Sequence, residues 1–419
     1  MERRNEMRKV SALILFLFLC FAYLVIPRIG YVEAQTRTIV VPDEFSTIFL
    51  AVEEAREGDT VFVKSGLYEG PINKTLIVNK TISITGENIQ TTTLVLHPEW
   101  ITQILFGTPL SYYANPILIE ANEVKISGFT ITSDGGEIAV KGNNTQLTGN
   151  VFRVDVALMG DNQLFSQNTL LDADVFCRGS YASVNNNKVL NGMIASESGS
   201  YDKIFDNEVV GSIAIGGTSS HELVYGNSVK DGSDFYWAGI SIASIGTFVV
   251  NNKILNCSKG ISYDWGGNNT AKQNIISNCR GPAVSVAKGY SDFTFTENQV
   301  QDNLIGVQAE SSFSLYYNNF VNNNLQVEIL DENIYFWSMD NGTIGNYWSN
   351  YNGTDSNGDG IGDTPYLINK QNKDNYPLMA PIELEVIPEF SSWTILPILL
   401  VLSFVIIFSK NKFRKKGLE

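Results

Sequence analysis

Residues 168–210 read NTLLDADVFCRGSYASVNNNKVLNGMIASESGSYDKIFDNEVV and contain one short pattern three times. In each copy an Asn is followed two positions later by an apolar residue, as Asn168 is followed by Leu170. The copies begin at Asn168, Asn187 and Asn207, which are 19 and 20 residues apart. A period near 20 residues is typical of solenoids, in which each repeat stacks on the previous one. The stretch therefore predicts a solenoid.

The same pattern continues on both sides of this stretch. Nine Asn residues fit it, at steps of 18 to 25 residues: Asn150, Asn168, Asn187, Asn207, Asn227, Asn252, Asn274, Asn298 and Asn319. The apolar residues two positions later are Phe152, Leu170, Val189, Val209, Val229, Ile254, Ile276, Val300 and Val321. Short segments such as Val284-Ser285-Val286 alternate in polarity, which is strand periodicity. We therefore expect an all-β fold, a right-handed parallel β-helix, with its repeats in residues 128–340. Leucine-rich repeats share the period, but their Leu-rich motif is missing here.

The repeated Asn has a physical reason. Asn tolerates left-handed backbone, and its amide can bond both the turn and the next coil, so stacked Asn side chains form a ladder. A second polar column follows four residues later, with Val154 and Gly211 as exceptions. Its members are Asp172, Asn191, Asp231, Asn256, Asn278, Asp302 and Asn323. The Asp residues in this column are therefore expected to form turns rather than a catalytic site.

Composition and charge limit the function. Of the 419 residues, 44% are hydrophobic and 17% are charged, so the chain is able to bury a large core. The net charge of −15 argues against a nucleic-acid partner, because phosphate contacts need clustered Lys and Arg. Four Cys in so long a chain do not make a disulfide scaffold. Cys257 and Cys279 share a column on adjacent coils, a spacing that is compatible with a reduced pair and with a disulfide.

The N-terminus has the features of a secretory signal peptide, residues 1–34. Basic residues such as Arg3 and Arg8 precede an apolar run from Val10 to Ile26, and Ala34 supplies a small residue for cleavage. A retained membrane anchor is the alternative, and both lead to export. Residues 35–127 then form a cap and the first coils, in which Phe45 to Glu57 have the spacing of an amphipathic helix capped by Ser46.

The C-terminus has the features of a membrane tether. After a linker at 382–392, residues 393–409 are apolar and predict a transmembrane or sorting helix. The basic tail at 410–419 is expected on the cytoplasmic side, which leaves the rest of the chain outside the cell. Pro388-Glu389-Phe390 before the apolar run resembles the sorting signals read by archaeosortase-type transpeptidases. A plain stop-transfer helix is the alternative, and each tethers the protein to the surface.

Several motifs resemble the pectin-lyase-like superfamily. The segments Ser65-Gly66-Leu67-Tyr68-Glu69 and Ile82-Ser83-Ile84-Thr85-Gly86 look like its N-terminal cap. Gly345-Asn346-Tyr347-Trp348 and Asp374-Asn375-Tyr376-Pro377-Leu378 look like the closing segment of archaeal NosD-like surface proteins. The resemblance covers roughly residues 37 to 381. It implies a β-helix of the carbohydrate-binding and sugar-hydrolase group, although one such fold carries many functions.

A calcium-binding motif stands in the predicted C-terminal cap, residues 341–381. Oxygen ligands at positions one, three, five, seven and nine of an EF-hand-type loop match Asp355, Asn357, Asp359, the Ile361 carbonyl and Asp363. Tyr366 replaces the usual bidentate Glu at position twelve, so Asp374 or water would have to complete the site. We expect a structural Ca²⁺ here, and a Gly-rich acidic turn is the alternative.

Candidates for catalysis lie on neighbouring coils. Arg153, Asp155, Asp174 and Arg178 are expected on one lateral surface, where a carboxylate pair with cationic neighbours suits a polysaccharide lyase or glycoside hydrolase. A solvated polar face explains them equally well. The NosD name suggests copper, but copper needs clustered His, Cys or Met, and His97 and His221 form no motif.

Other features favour a binding role. Seven Asn-x-Ser/Thr sequons are candidate glycosylation sites: Asn73, Asn79, Asn143, Asn256, Asn268, Asn341 and Asn352. Four aromatic residues are candidates for stacking on sugar rings: Tyr236, Trp237, Tyr263 and Trp265. We therefore predict a surface-anchored β-helix that is structural or binds a polysaccharide or an envelope glycoprotein. A polysaccharide lyase or hydrolase, and a NosD-like accessory protein to an exporter, are the alternatives.

Overall fold

The computed structural model describes residues 36–105, 108–232, 238–288, 292–311, 313–331, 337 and 343–384. From Thr38 onward these residues belong to one compact unit. The chain winds through it as a right-handed parallel β-solenoid, as the repeat predicted. Three strand columns make up most coils, one in a thirteen-stranded sheet (sheet A) and two in a second sheet (sheet B).

Sheet A stacks one strand from each coil. Its strands are Thr38–Val41, Thr60–Val63, Ser83–Gly86, Lys125–Ser127, Gln146–Thr148, Leu164–Ser166, Ser183–Asn185, Lys203–Phe205, Leu223–Tyr225, Phe248–Val250, Asn269–Lys272, Phe293–Thr296 and Ser314–Tyr316. All neighbouring strands of sheet A pair in parallel. Their register places residues of the same kind side by side on adjacent coils, as Val184, Ile204 and Val224 show. These three residues are fully buried and point into the core.

Sheet B holds the other two strand columns, which merge in the longer strands. Its strands are Gly66–Glu69, Leu76–Val78, Thr92–Leu96, Ile117–Ile119, Thr130–Val140, Val151–Leu158, Thr169–Leu171, Val175–Cys177, Lys188–Ser196, Glu208–Ile215, Ser228–Lys230, Ile240–Ile245, Lys253–Leu255, Ile261–Gly267, Ile275–Ser277, Pro282–Val286, Gln299–Gln301, Ile305–Ala309, Asn319–Val321, Leu325–Ile329 and Tyr347–Trp348. Two antiparallel hairpins stand apart from both sheets. They are Trp100–Leu105 with Thr108–Tyr113, and Tyr366–Leu367 with Lys373–Asp374.

A short α-helix, Ile48–Glu54, covers the first coils. It buries Ile48, Ala51 and Val52, which confirms the predicted apolar face. The predicted bounds were too wide and the predicted cap was wrong, because Thr47 is the N-cap and its side chain accepts the Leu50 N–H. Thr47 has the extended backbone that a cap needs, so the helix begins two positions after Ser46.

The Asn ladder exists and continues further than predicted. The backbone N–H of Asn187 donates to Oδ1 of Asn207 over 3.0 Å, while its Nδ2 donates to the Phe165 carbonyl over 2.9 Å. The same arrangement links every member: Asn150, Asn168, Asn187, Asn207, Asn227, Asn252, Asn274, Asn298, Asn318 and Asn346. The ladder therefore fills the hydrogen-bonding capacity of buried amides along the axis.

One predicted ladder position was wrong by a single residue. Asn318, not Asn319, accepts the Asn298 N–H, and Phe320 rather than Val321 pairs with Val300 in the core. Asn319 points outward instead. Its Oδ1 accepts the Ile382 N–H over 2.8 Å and its Nδ2 donates to the Ile382 carbonyl over 2.9 Å, so it holds the chain that leaves the cap.

The second polar column consists of turn residues, as predicted. Asp172, Asn191, Asp231, Asn256, Asn278 and Asp302 all have positive φ, between 52° and 62°. The last member is Asn322 (φ 53°) and not Asn323, which follows from the same one-residue shift. Asn and Asp tolerate this left-handed backbone better than most residues, so their recurrence here is conformational.

The predicted membrane segments are not covered by this description. The signal peptide at 1–34, the helix at 393–409 and the basic tail at 410–419 lie outside the described residues. No helix in the described ranges is both long enough and apolar enough to cross a membrane.

Candidate functional site

The predicted acidic residues do share one column on the outer face of sheet B. Glu137 is in register with Asp155, and Oδ1 of Asp155 accepts the backbone N–H of Asp174 over 2.9 Å. Oδ1 of Asp174 in turn accepts the Met193 N–H over 2.7 Å. Three carboxylates thus stand on consecutive coils, roughly 5 Å apart along the axis. The prediction that Asp155 and Asp174 lie together is consistent with this geometry.

Asp174 is the carboxylate whose ionisation is perturbed. Its side chain is half-buried, and this burial raises the pKa of Asp174 above its usual value. The Met193 N–H bond lowers the pKa and the neighbouring Asp155 charge raises it, and the net shift is upward. A carboxyl with a raised pKa beside a second carboxyl is able to exchange a proton with a bound ligand.

Arg178 is held by two ion pairs on the same face. Its Nη1 lies 2.7 Å from Oε1 of Glu137 and its Nε lies 2.9 Å from Oε2 of Glu197. The guanidinium also lies 5.1 Å from the centre of the Phe176 ring. Glu137 is two coils before Arg178 and Glu197 is one coil after it, so the side chain joins several coils. Its charge is therefore already compensated by protein carboxylates.

Arg153 takes a different place from the other candidates. It is exposed and in register with Thr132 on the first part of its long strand, before the position where Asp155 begins the second part. Asp172 lies in the turn column with φ 52°, and its Oδ1 accepts a hydrogen bond from Asn191 Nδ2. The structure thus brings Asp155 and Asp174 together, and it places Arg178 over the same face and Arg153 beside it.

Beyond this acidic cluster, the same face carries a strip of small residues that the sequence reading missed. In-register outward positions on five consecutive coils hold Ala195, Ala214, Ser241, Ser262 and Ser285. They alternate with core residues, so they point away from the core, yet each is buried to 91% or more. Four strand spacings make this strip about 19 Å long. Phe176 borders it at one end and Gln308 at the other.

The predicted aromatic residues separate into different environments. Trp265 is 40% exposed and follows the strip residue Ser262 by three positions. Tyr263 was wrongly predicted to be exposed, because it is fully buried and stacks on Phe293 with ring centres 4.8 Å apart. Alternation with Ser262 could have revealed this inward position. Tyr236 and Trp237 lie outside the described residues.

Two buried carboxyl groups had no signal in the sequence. Asp202 and Glu222 occupy one column inside the solenoid, and both are fully buried. Burial raises the pKa of Asp202 to about 6, although the Ala182 N–H and Ser196 hydroxyl bonds oppose the shift. Burial, with a smaller contribution from the Asp202 charge, raises the pKa of Glu222 to about 7. Oε1 of Glu222 has no hydrogen-bond partner within the described chain.

The candidate calcium loop is closed by its own backbone. Asp355 accepts N–H bonds from Gly358 and Gly360, and Asp359 accepts one from Ile361. Asp363 accepts the Ser356 N–H over 2.8 Å, and the Ser356 bonds lower the pKa of the Asp363 carboxyl. The side chains of the loop, including Asn357, are mostly exposed.

Asp374 is not available to that loop. It is fully buried, and its Oδ2 accepts the Asn346 N–H over 2.7 Å and the Trp348 Nε1–H over 3.0 Å. Its Oδ1 accepts the Tyr376 N–H over 3.0 Å. Both oxygens are therefore used inside the cap, and only water is left to complete a calcium shell.

Soft metal ligands do not gather in the described part of the chain. In that part no group of three or more His, Cys, Asp or Glu side chains is arranged to hold a metal ion. His97 pairs with Asp134 over 2.6 Å, and His221 stacks on Tyr201. Cys177, Cys257 and Cys279 are free and buried, and burial raises the pKa of the Cys279 thiol to about 12. These residues do not fit a copper ligand set.

Coils, ladder and strip together define a right-handed parallel β-solenoid with a polar lateral face. A family model described as "Periplasmic copper-binding protein (NosD)" matches residues 220–353. The resemblance to NosD-like proteins is thereby confirmed for that part of the chain. No curated protein matches the sequence.

Two solved structures with the same fold are a glucanase and a polysaccharide lyase. The catalytic unit of a thermostable GH87 alpha-1,3-glucanase from Streptomyces thermodiastaticus strain HF3-3 aligns with a TM-score of 0.51 at 14% identity. The alignment covers 70% of this chain and 60% of the glucanase unit. A mannuronic acid specific family 6 lyase from human gut microbiota aligns with a TM-score of 0.51 at 12% identity, over 70% of this chain and 82% of the lyase. Identities this low establish the fold alone.

Proposed function

We propose that this protein is a surface-attached β-solenoid that binds an extended polysaccharide along the strip from Ala195 to Ser285. The observation that carries the proposal is that five consecutive coils present small outward side chains in register. The strip side chains themselves are buried to 91% or more, so a polymer would contact the exposed groups along the edge of the strip rather than the small side chains. The exposed indole of Trp265 beside it offers a face for a sugar ring.

The neighbouring charges support binding of a neutral rather than an acidic polymer. Glu137, Asp155, Asp174 and Glu197 stand at one end of the strip, where Arg178 is already paired twice and Arg153 lies to the side, so negative charge is in excess. A polyuronate would bring further negative charge toward these carboxylates, which is unfavourable. The two polysaccharide-active neighbours suggest both a neutral and an acidic polymer, and this charge pattern favours the neutral one.

The proposal is tested by filling the strip. Ala214→Phe places a ring in the column that carries Phe176 two coils earlier, and because Ala214 is 7% exposed, its binding is compared only if its thermal midpoint matches that of the wild type. Binding to insoluble neutral glucans in a pull-down should fall by about tenfold or more. Leu223→Phe is the matched control, because it adds a ring on the outer side of sheet A, next to Phe248. Equal binding by both variants would contradict the proposal.

Catalysis is a second candidate, and it rests on the Asp155 and Asp174 pair. The raised pKa of Asp174 suits a general acid. Asp174→Asn keeps an oxygen for the Met193 N–H while it removes the ionisable group. Turnover of a polysaccharide by the wild type that this variant abolishes would establish a lyase or hydrolase. If the wild type binds the glycan without turnover and Asp174→Asn binds it equally well, the result supports a binding protein.

The attachment and the glycans complete the proposal. We take residues 1–34 as the export signal and residues 393–409, with Pro388-Glu389-Phe390, as the tether. Truncation after residue 384 should release the protein into the medium, and retention on the cells would contradict the tether.

The described sequon residues are all exposed, namely Asn73, Asn79, Asn143, Asn256, Asn268 and Asn352. Loss of mass on deglycosylation measures whether they carry sugar.

A further inference from the structure

A cavity of about 420 Å³ opens where the last coil meets the C-terminal cap. One side is formed by residues 322–327 of the last coil, and the other by residues 349–350 and 366–368 of the cap. Amide and hydroxyl side chains dominate its lining: Asn322, Asn323, Asn324, Gln326, Ser349 and Asn350. The volume is within the range of small-molecule pockets.

Two of these amides are committed to the fold. Oδ1 of Asn323 accepts the Asn303 N–H over 3.0 Å, and its Nδ2 donates to Oε1 of Gln326 over 2.9 Å. Gln326 donates onward to the Ser349 hydroxyl over 3.2 Å. This chain of bonds fixes the floor of the cavity before any ligand arrives, which reduces the entropy cost of binding.

Two other amides are available. The side chains of Asn322 and Asn324 are exposed, and within the described residues neither makes a side-chain hydrogen bond. Each offers one carbonyl oxygen and two N–H donors, so each is able to donate to one hydroxyl of a ligand and to accept from another. They stand two positions apart on the same turn of the last coil.

The lining carries no carboxylate, ammonium, guanidinium or imidazole group. An ionic ligand would lose hydration there without gaining an opposite charge, which is unfavourable. Leu325 and Leu367 are 46% and 73% exposed at the same cavity and present apolar surface. Free amides together with apolar patches match a ligand that has many hydroxyl groups and apolar C–H faces.

We propose that this cavity binds an uncharged saccharide of one or two rings. It lies at the end of the solenoid, whereas the strip from Ala195 to Ser285 runs along its side. The proposal therefore does not depend on polymer binding to the strip.

The test uses the full chain, with maltose, cellobiose and nigerose as probes and digalacturonate as the charged comparison. Ligand-observed NMR titration should detect the neutral disaccharides and not digalacturonate. Asn324→Leu removes one free amide, and it is structurally mild because Leu304 occupies the same position one coil earlier. This variant should weaken the neutral disaccharide by about tenfold. Its thermal midpoint should match that of the wild type.

A second pair of variants separates charge from fold. Asn322→Asp adds a carboxylate at the cavity, while Asn278→Asp makes the same change in the same turn column two coils earlier, where Asp also occurs naturally on the next coil. Only Asn322→Asp should weaken binding. Leu223→Phe, which adds a ring on the outer side of sheet A away from the strip and the cavity, should leave disaccharide binding unchanged. The proposal is overturned if no neutral disaccharide binds at about 10 mM, if Asn324→Leu binds as the wild type does, or if digalacturonate binds equally well.

Discussion

Asn346 donates its backbone N–H to Oδ2 of Asp374 over 2.7 Å, and this bond ends the Asn ladder. The last rung of the ladder is thus a carboxylate supplied by the cap hairpin. It also accepts the Trp348 indole N–H and the Tyr376 N–H, so one buried side chain connects the last Asn of the ladder with two other positions in the cap.

Replacing this carboxylate should destabilise the protein strongly. Asp374→Ala leaves the buried donors of Asn346, Trp348 and Tyr376 without partners, at a cost of about 3 kcal/mol. Urea unfolding monitored by Trp fluorescence measures the loss. Lys373→Ala is the control, because Lys373 is the exposed neighbour on the same strand. Similar stability for the two variants would contradict the role given to Asp374.

A rung within the ladder should have comparable importance. The Asn207 amide accepts the Asn187 N–H and donates to the Val184 carbonyl and to Asn227 Oδ1. Asn207→Ala leaves these buried groups unsatisfied and should cost about 3 kcal/mol. Asn278→Asp in the exposed turn column should change the stability by less than about 0.5 kcal/mol. The denaturant midpoints of the two variants decide this, and a smaller loss for Asn207→Ala would refute the ladder's contribution.

Stability should fall as the pH rises from about 4 to about 7, between the pKa values of the unfolded and the folded chain. Asp202 and Glu222 have folded-state pKa values of about 6 and 7, above those of the unfolded chain. The folded state therefore binds more protons than the unfolded state in this range, and deprotonation favours unfolding. The loss is on the order of 6 kcal/mol for the pair. Denaturant midpoints at several pH values measure it.

The variant Glu222→Gln isolates one part of this effect. Gln keeps an oxygen for the Thr247 hydroxyl but cannot ionise. The stability of this variant should therefore depend less on pH, and it should exceed the stability of the wild type mostly above pH 7. Glu328→Gln is the control, because Glu328 lies on the outer face and bonds Gln308. If the stability of Glu222→Gln depends on pH as steeply as that of the wild type, the raised pKa of Glu222 is refuted.

Calcium should stabilise the cap if the Asp355 loop binds it. At a hundredfold excess over the dissociation constant the gain is about 2.7 kcal/mol, visible as a higher thermal midpoint that chelation reverses. Asp359→Asn keeps an acceptor for the Ile361 N–H but removes one negative charge, so it should abolish most of the gain. Asp231→Asn in the turn column should retain the full response. No calcium response in the wild type would leave the loop as a Gly-rich acidic turn.

The sequence predicted the solenoid because its two signals repeat in each coil from Asn150 onward. Asn at the turn and an apolar residue two positions later are forced by the stacking, so the period is visible without any structure. The prediction failed at Asn318 and Asn319, where two Asn are followed by two apolar residues and both registers satisfy the pattern. Only the pairing of Phe320 with Val300 distinguishes them.

The candidate site was harder to predict from the sequence because the residue type at its positions changes from coil to coil. Asp155 and Asp174 were found as charged residues one coil apart. The strip from Ala195 to Ser285 was missed, because Ala and Ser are unremarkable in sequence and gain meaning only when register aligns them. Asp202 and Glu222 were missed for a related reason, since their column contains Ala182 and Thr247 at the flanking coils and gives no sign of an inward carboxyl.

The two hydrogen bonds between Asn319 and Ile382 have a mechanical consequence. A pull on the chain beyond Ile382 acts first on Asn319, in the wall of the last full coil, and not on the hairpin that carries Asp374. Tension from a surface tether would thus be transmitted to the stacked coils while the cap stays unstrained. The bond that ends the ladder would in this way be shielded from a force that acts on the chain beyond Ile382.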